Sequence, residues 1–299
     1  MRTCDPFFGR KALESSIATP PSGVHSMPPV VPLSSMPTTV STASATVPPA
    51  VVPEGNSFHV MLSVVYSPTD FYVQIIDHAN TTAKVLEELQ HHLNMHSIQT
   101  LPPSDPAVTR GSFWACFYEE DRNWYRVQVL DVLLTANHAK RFRVLCVDYG
   151  NRITVSSTYL RSLPYSLSGL PACAHRLALA HVAPRDGLMW DAVATGTFVR
   201  ATGFKDVYFA EKKGERTISI TPLSLLSPFP SINNTDERNV SSDREALSSV
   251  PDDFERRACD LHTTCLENVI DVVLWKKTEM VTVNINALLL EKAVAVMKP

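Results

Sequence analysis

Residues 111–156 contain four short strand-like segments joined by EEDR, LTANHAK and a Gly-Asn turn, and this run constrains the fold more than any other part of the chain. The segments are GSFWACFY, NWYRVQVLDVL, RFRVLCVDY and RITVS, each rich in β-branched or aromatic residues. Gly150-Asn151 joins the last two, and a Gly-Asn pair accepts the positive φ angles of a tight hairpin turn. Several short strands at this spacing predict a small closed β-barrel.

Further strand and helix patterns lie on both sides of this run. FHVMLSVVYSPTDFYVQIID predicts two strands, and TAKVLEELQHHLNMH predicts a helix because its Leu and Val residues have helical spacing. Beyond the run, GLMWDAVATGTFVRAT predicts a helix, DVYFAEKK and RTISITPL two strands, NVIDVVLW and MVTVNI two more, and NALLLEKAVAVM a final helix. The expected fold class is therefore mainly β with a few helices (α+β).

Composition separates a tail and a loop from the folded region. Residues 1–55 are rich in Pro, Ser, Thr, Ala and Val. Such a segment buries too little apolar surface to offset the entropy of ordering, so we predict a disordered tail without core contacts. Residues at about 228–255 are polar and rich in Ser, Asp and Asn, which predicts an exposed loop.

Charge and motifs argue against several classes of function. The 27 basic and 30 acidic residues give a net charge of −3, without overall electrostatic support for nucleic-acid binding. No apolar run approaches the roughly 18 residues that cross a bilayer, and no secretory signal is expected. The six Cys residues include no C-x-x-C pair, and His92 and His96 lack a third ligand, so we expect reduced thiols and neither metal nor cofactor. No G-x-S-x-G, P-loop or H-E-x-x-H element indicates an enzyme.

The motifs WYR and DYGN, about twenty residues apart and followed by LRSLP, resemble the Tudor domain. Together with the flanking strands and helices, residues 57–297 resemble the extended Tudor domain of germline proteins that bind Piwi-family partners. The resemblance implies a Tudor β-barrel at 108–166. This barrel would be inserted into a staphylococcal-nuclease-like (SN-like) OB barrel formed by 56–107 and 167–299, with a helix linking the two.

The resemblance also implies a methylarginine-binding cage. Its positions fall on Tyr118, Tyr125, Cys146 and Tyr149, with Asn151 holding the guanidinium. An aromatic face attracts a methylated guanidinium by about 0.5–2 kcal/mol, and an Asn amide oxygen accepts its remaining N–H. The family has an aromatic residue where this chain has Cys146, so one ring is missing, at a cost of about 1 kcal/mol or more.

Residues around the cage receive supporting roles. Asp148 is predicted to pin the turn by accepting backbone N–H groups. Glu119, Glu120 and Asp121 are predicted to form an acidic rim, which suits an arginine-rich peptide better than RNA. Tryptophans at four positions are predicted to pack in the core: Trp114, Trp124, Trp190 and Trp275.

By resemblance, the chain is expected to be a non-enzymatic adaptor for the Arg-Gly-rich tail of a Piwi-family protein, with its arginines symmetrically dimethylated. The setting would be small-RNA (piRNA) silencing in cytoplasmic germ granules. Two alternatives stay open. One is a Tudor scaffold that binds partners independently of methylation because its cage lacks a ring, and the other is an RNA-binding SN-like module. No membrane partner is expected, and the sequence does not indicate an oligomeric state.

Overall fold

A computed structural model describes residues 45–77, 81–104, 107–135, 139–220, 265–277 and 281–298. These residues form two β-barrels. Residues 1–44 of the predicted tail and the predicted polar loop at about 228–255 lie outside the described residues. Within the described ranges, no helix is long and apolar enough to cross a membrane.

The described part of the chain contains short strands and four helices. The strands are β1 (Ser57–Ser67), β2 (Asp70–Ile75), β3 (Phe113–Tyr118), β4 (Asn123–Leu134), β5 (Lys140–Cys146), β6 (Arg152–Val155), β7 (Leu160–Arg161), β8 (Ala174–Leu179), β9 (Val182–Pro184), β10 (Val207–Ile220), β11 (Cys265–Lys277), β12 (Thr282–Asn284) and β13 (Ala295–Met297). The helices are α1 (Thr81–Ser97), α2 (Tyr165–Ser168), α3 (Ala192–Thr202) and α4 (Ile285–Glu291).

The outer barrel takes strands from both sides of the inner one. Its strands pair in the order β10-β1-β2-β8-β11, and β10 also pairs with β11, which closes the barrel. All of these pairs are antiparallel except β8–β11. Alternate residues point inwards, and Phe71, Tyr208 and Leu274 are among those fully buried in its core. Each fully buried large apolar side chain contributes about 1.5–3 kcal/mol to folding.

The inner barrel pairs its strands in the order β6-β5-β4-β3-β7. Its interior contains Tyr125, Val127 and Phe142. The opposite face of β4 packs against α1, where Trp124 lies with Leu89 and Leu93. The prediction that Trp124 belongs to the core is confirmed.

Three elements differ from the sequence prediction. The two strands predicted around 206–222 are one continuous strand, β10, because it pairs with β11 along its whole length. The final predicted helix ends at Glu291, since Ala293 adopts a positive φ and β13 then pairs with β9. Trp190 precedes α3 instead of lying on it, because Asp191 caps the helix by accepting the Ala194 N–H at 2.6 Å.

The predicted boundary of the tail at residue 55 is wrong. Residues 45–52 lie against both barrels, and the side chain of Val47 is only 8% exposed, among the residues that pack on α1. The Ala172 N–H donates to the Pro48 carbonyl at 3.0 Å. Ala45 and Val52 of the same segment also pack against core residues, so a Pro-rich composition did not prevent burial here.

Replacing Val47 by Ala is therefore expected to lower the free energy of unfolding by about 1–2 kcal/mol, from lost burial and the cavity left behind. Val51→Ala provides the matched control, because Val51 lies four residues away and is 70% exposed. Its expected cost is below about 0.5 kcal/mol. Urea unfolding of both variants checks the result, and equal effects would contradict the docking of this segment.

Candidate functional site

The turn between β5 and β6 presents two of the predicted cage residues, Tyr149 and Asn151. The Cys146 carbonyl accepts the Gly150 N–H at 2.7 Å and the Tyr149 N–H at 3.2 Å, and the Cys146 N–H donates to the Asn151 carbonyl at 2.8 Å. Gly150 has a φ of +92°, whereas Asn151 is not among the residues with positive φ. The left-handed residue that the turn requires is therefore Gly150 alone.

The outer barrel holds this turn in place. Three side chains of β1 and β2 donate hydrogen bonds to its carbonyls: Ser63 Oγ to Tyr149 at 2.6 Å, Tyr66 OH to Gly150 at 3.1 Å, and Gln74 Nε2 to Asp148 at 2.9 Å. Just beyond the turn, Arg152 forms an ion pair with Asp70 of β2 at 3.0 Å. The position of the cage thus depends on both barrels.

Gly150 lies close against Tyr72 of the outer barrel. A Cβ atom built on Gly150 would lie 2.1 Å from Cγ and 2.4 Å from Cβ of Tyr72, a fully buried residue of β2. Carbon atoms that are not bonded pack at about 3.5–4.0 Å, so no side chain fits at position 150. Position 150 therefore requires glycine for two reasons, the positive φ and the close approach of Tyr72.

The structure brings the predicted cage residues together at one end of the inner barrel. The rings of Tyr125 and Tyr149 meet edge to face, with centroids 5.4 Å apart and planes at 85°. Tyr118 and Tyr149 are half-buried and pack against the core cluster that contains Tyr125 and Cys146. Phe117 points to the other face of β3, where its ring centroid lies 5.2 Å from that of Trp124. Strand alternation thus places Tyr118 on the side of the predicted cage.

Cys146 lies inside the barrel. Its side chain is 1% exposed and packs in the same cluster as the buried Cys116. Burial raises the pKa of Cys116 to about 12 and raises that of Cys146 well above its usual value, so both remain thiols at neutral pH. The sequence pattern treated position 146 as a wall of the cage, whereas the structure places a small apolar group beneath the rings.

The side-chain oxygen of Asn151 is a hydrogen-bond acceptor that no described residue satisfies. Its Oδ1 atom is buried and has no hydrogen-bond partner among the described residues. A buried polar atom left unpaired costs about 1–3 kcal/mol, which a ligand N–H would recover. This atom therefore suits a donor arriving at the tyrosine-lined end of the barrel.

Asp148 accepts a backbone N–H, as predicted, but this N–H belongs to Cys173 and not to the turn. Its Oδ2 accepts Arg126 Nε at 2.9 Å, and its Oδ1 accepts Arg126 Nη2 at 2.5 Å and the Cys173 N–H at 3.2 Å. Both side chains are almost completely buried. The carboxylate therefore neutralises a buried guanidinium and ties the turn to the segment that returns to the outer barrel.

The acidic residues of the β3–β4 loop have unequal roles. Asp121 is half-buried, accepts the hydroxyl of Tyr125 and accepts the Asn123 N–H at 3.1 Å. Burial and the bond to Asp121 raise the pKa of Tyr125, so its ring remains neutral. Glu119 and Glu120 are exposed, and Glu119 accepts the hydroxyl of Tyr159 at 2.8 Å.

Sequence reasoning missed the residues that support the site. Ser63, Tyr66 and Gln74 lie 74–86 residues before the carbonyls they bind, and no local pattern links such distant positions. Tyr159, which packs against the inner core, was also missed. An aromatic residue just before the predicted LRSLP segment was the available signal.

Comparisons with known proteins agree with this architecture. Residues 52–181 match the family model of the Tudor domain. Tudor domain-containing protein 1 of Oryzias latipes is 31% identical over 159 residues, which are 53% of this chain and 13% of that protein. The chain therefore spans about an eighth of that relative.

Two solved structures have a similar fold. The extended Tudor domain TD3 of mouse TDRD1, in complex with a MILI peptide containing dimethylarginine, has a TM-score of 0.60 and 16% identity over 85% of this chain and 99% of that one. A variant of the Drosophila melanogaster Papi extended Tudor domain, in complex with an unmethylated Piwi N-terminal peptide, has a TM-score of 0.57 and 17% identity. The match covers 82% of this chain and 100% of that one.

The inner barrel lies within residues 52–181, the part of the chain that matches the Tudor domain family model. Strands of a second barrel come before and after the inner barrel in the sequence, and the chain has, more particularly, the fold of the extended Tudor domains. The sequence-based prediction of the fold class is confirmed, and the match of residues 52–181 agrees with the predicted family.

Proposed function

We propose that this chain is a non-enzymatic adaptor that binds the Arg-Gly-rich tail of a Piwi-family protein, with its arginines symmetrically dimethylated. The observation that carries the proposal is the unpaired, buried Oδ1 of Asn151 on the same turn as Tyr149. The dimethylarginine peptide bound to the mouse TDRD1 domain supports the same kind of ligand.

The chemistry of the site suits this ligand. A methylated guanidinium keeps its positive charge but loses hydrogen-bond donors, so a carboxylate can no longer bind it in the bidentate manner. The faces of Tyr118, Tyr125 and Tyr149 would attract the cation, and Asn151 would accept a remaining N–H. The exposed Glu119 and Glu120 would favour the approach of a positively charged peptide.

Asn151→Ala is expected to weaken binding of a symmetrically dimethylated Arg-Gly peptide by about 1.5–3 kcal/mol, roughly 10- to 150-fold. The stability of the protein should change little, because the removed oxygen has no partner in the described structure. Calorimetric titration with matched unmethylated and dimethylated peptides checks this, with Asn268→Ala on the outer barrel as the control. Unchanged affinity in Asn151→Ala would contradict the proposed role.

A second candidate is a scaffold that binds its partner independently of methylation. The buried thiol of Cys146, which supplies no ring, favours it. The Papi structure with an unmethylated peptide is consistent with such binding in a similar fold. Equal affinity for the two peptides in the same titration would favour this candidate over the first.

The variant Cys146→Phe tests whether the side chain at position 146 belongs to the barrel core or lines the cage. Because the side chain is 1% exposed within a packed cluster, we expect overpacking that lowers the free energy of unfolding by about 1–3 kcal/mol, without a gain in affinity. Cys173→Phe is a control at a half-buried cysteine outside that cluster. Tighter peptide binding at unchanged stability would show instead that position 146 lines the cage.

The cellular setting is part of the same proposal. A Piwi-family partner would place the chain in small-RNA silencing, in cytoplasmic germ granules. The Piwi peptide bound to the Papi extended Tudor domain supports a partner of this kind. Imaging of the tagged chain in germ cells, compared with Tyr149→Ala, tests it, because granule recruitment through the cage should be lost in the variant.

A further inference from the structure

Three aromatic side chains form a row on the outside of the outer barrel. His59 of β1 pairs with Phe209 of β10, and Phe209 pairs with Trp275 of β11. The His59 and Phe209 rings meet edge to face with centroids 5.8 Å apart. Their neighbours along the strands, including Tyr208 and Leu274, point into the core, so the row points outwards. Trp275 thus lies partly exposed on the outer surface, contrary to its predicted place in the core.

The row lies in an open groove of about 550 Å³. The other lining residues come from the same sheet and its edge: Val207, Glu211, Lys277 and Thr282. Phe209 is 39% exposed, a large fraction for a phenylalanine on a strand that already has a complete inner core. The groove is separate from the tyrosine-lined end of the inner barrel, since the lining residues all belong to the outer barrel.

The charges of the groove favour an anion over a cation. Glu211 is already matched by an ion pair with Lys213. Hydrogen bonds from Lys213 and the Trp275 side chain lower the pKa of Glu211 and keep it ionised. Lys277, in contrast, forms no ion pair with any residue in the described ranges. Among the described residues that line the groove, the charge without an ionic partner is therefore the positive charge of Lys277.

We propose that this groove binds a short segment of single-stranded nucleic acid. Bases present flat π faces that stack on aromatic side chains, and Lys277 would contact the phosphate backbone. Neighbouring strands lie about 4.8 Å apart, so a row across three strands offers room for two or three bases. This site is independent of the proposed peptide site.

Binding should weaken as the salt concentration rises. The net charge of the whole chain is −3, so the attraction is local and comes from Lys277. Each phosphate contact in a single-stranded complex contributes about −0.7 to the slope of log affinity against log salt. With one such contact, a slope of about −0.7 is therefore expected.

The test measures fluorescence anisotropy of labelled ten-nucleotide oligo(U), oligo(A) and oligo(dT) with the full chain at about 50 mM salt. Phe209→Ala and Lys277→Glu are each expected to weaken binding at least about fivefold, in line with the loss of one stacked base or one phosphate contact. Two controls should bind like the unchanged protein: Lys84→Glu, which makes the same charge change on α1, and Tyr149→Ala in the proposed cage. Comparing the RNA oligonucleotides with oligo(dT) shows whether the protein distinguishes ribose from deoxyribose.

Four results would overturn the proposal: no binding to any oligonucleotide, equal losses in Lys84→Glu and Lys277→Glu, loss in Tyr149→Ala alone, or displacement of the oligonucleotide by an acidic, aromatic peptide with higher affinity. Because Phe209 and Lys277 are exposed, both variants should fold, and a melting curve for each verifies this. Loss of binding in both variants at unchanged melting temperature supports the site.

Discussion

Replacing Gly150 by Ala is expected to lower the free energy of unfolding by about 3–5 kcal/mol, a large share of the stability of a typical domain. Two physical effects add. The alanine would have to keep a φ of +92°, and its Cβ would lie 2.1 Å from the Tyr72 ring. Tyr72 cannot move aside easily, because its hydroxyl donates to Glu267 at 2.5 Å and accepts Arg152 Nη2 at 3.2 Å.

Gly55→Ala separates these two effects. Gly55 has a φ of +107°, but nothing lies within 4 Å of a Cβ atom built there. Its substitution therefore carries only the backbone strain, about 1–3 kcal/mol. Urea unfolding of both variants measures the difference. If Gly150→Ala is no more destabilising than Gly55→Ala, the contact between the turn and Tyr72 does not constrain the fold.

The same substitution should impair ligand binding. Movement of the turn away from Tyr72 would shift Tyr149 and Asn151, which the outer barrel positions through Ser63 and Gln74. An inner barrel separated from the outer one would thus lack the fixed geometry of the site. Insertion of the inner barrel between strands of the outer one thus fixes the turn that presents Tyr149 and Asn151.

Local patterns were enough to predict most of the strands and α1. Alternation and turn residues determine where a strand begins and ends, as in β3 and β4, and helical spacing determines α1. The continuity of β10 was not predictable, because its middle is exposed and polar and is held by pairing with β11, whose first residue lies beyond the segment 221–264. Val47 was missed for the same reason, since its burial comes from distant surfaces.

The sequence predicted which residues belong to the site better than it predicted what those residues contact. The resemblance identified Tyr118, Tyr125 and Tyr149, and the structure gathers them at one end of the inner barrel. The resemblance could not show that the side chain of Cys146 is buried in the barrel interior. Strand alternation predicts which face of the sheet a residue lies on, but not whether that part of the face is open to a ligand or filled by the core. Nor could the resemblance show the partner of Asp148, which lies 22 residues earlier on another strand.

That partner, Arg126, is a charged residue whose side chain is fully buried. Its side chain is 0% exposed. All five of its N–H groups have acceptors: two in the Asp148 carboxylate, and three in the carbonyls of Leu167, Leu170 and Pro171 at 2.6–2.8 Å. The guanidinium thus joins the inner barrel to the chain that leads back to the outer one.

Arg126→Met is expected to lower the free energy of unfolding by about 3–5 kcal/mol, because it leaves the Asp148 carboxylate buried without its counter-ion and three carbonyls without donors. Arg141→Met on the neighbouring strand is the control, since Arg141 is exposed and should cost less than about 0.5 kcal/mol. The double variant Arg126→Met with Asp148→Asn removes both charges, so it should be less destabilised than Arg126→Met alone. Urea unfolding of the four proteins in a double-mutant cycle measures the coupling. A double variant as unstable as the sum of its single changes would show that the two charges do not depend on each other, and the stability of the turn would then have to come from its contacts with β1 and β2.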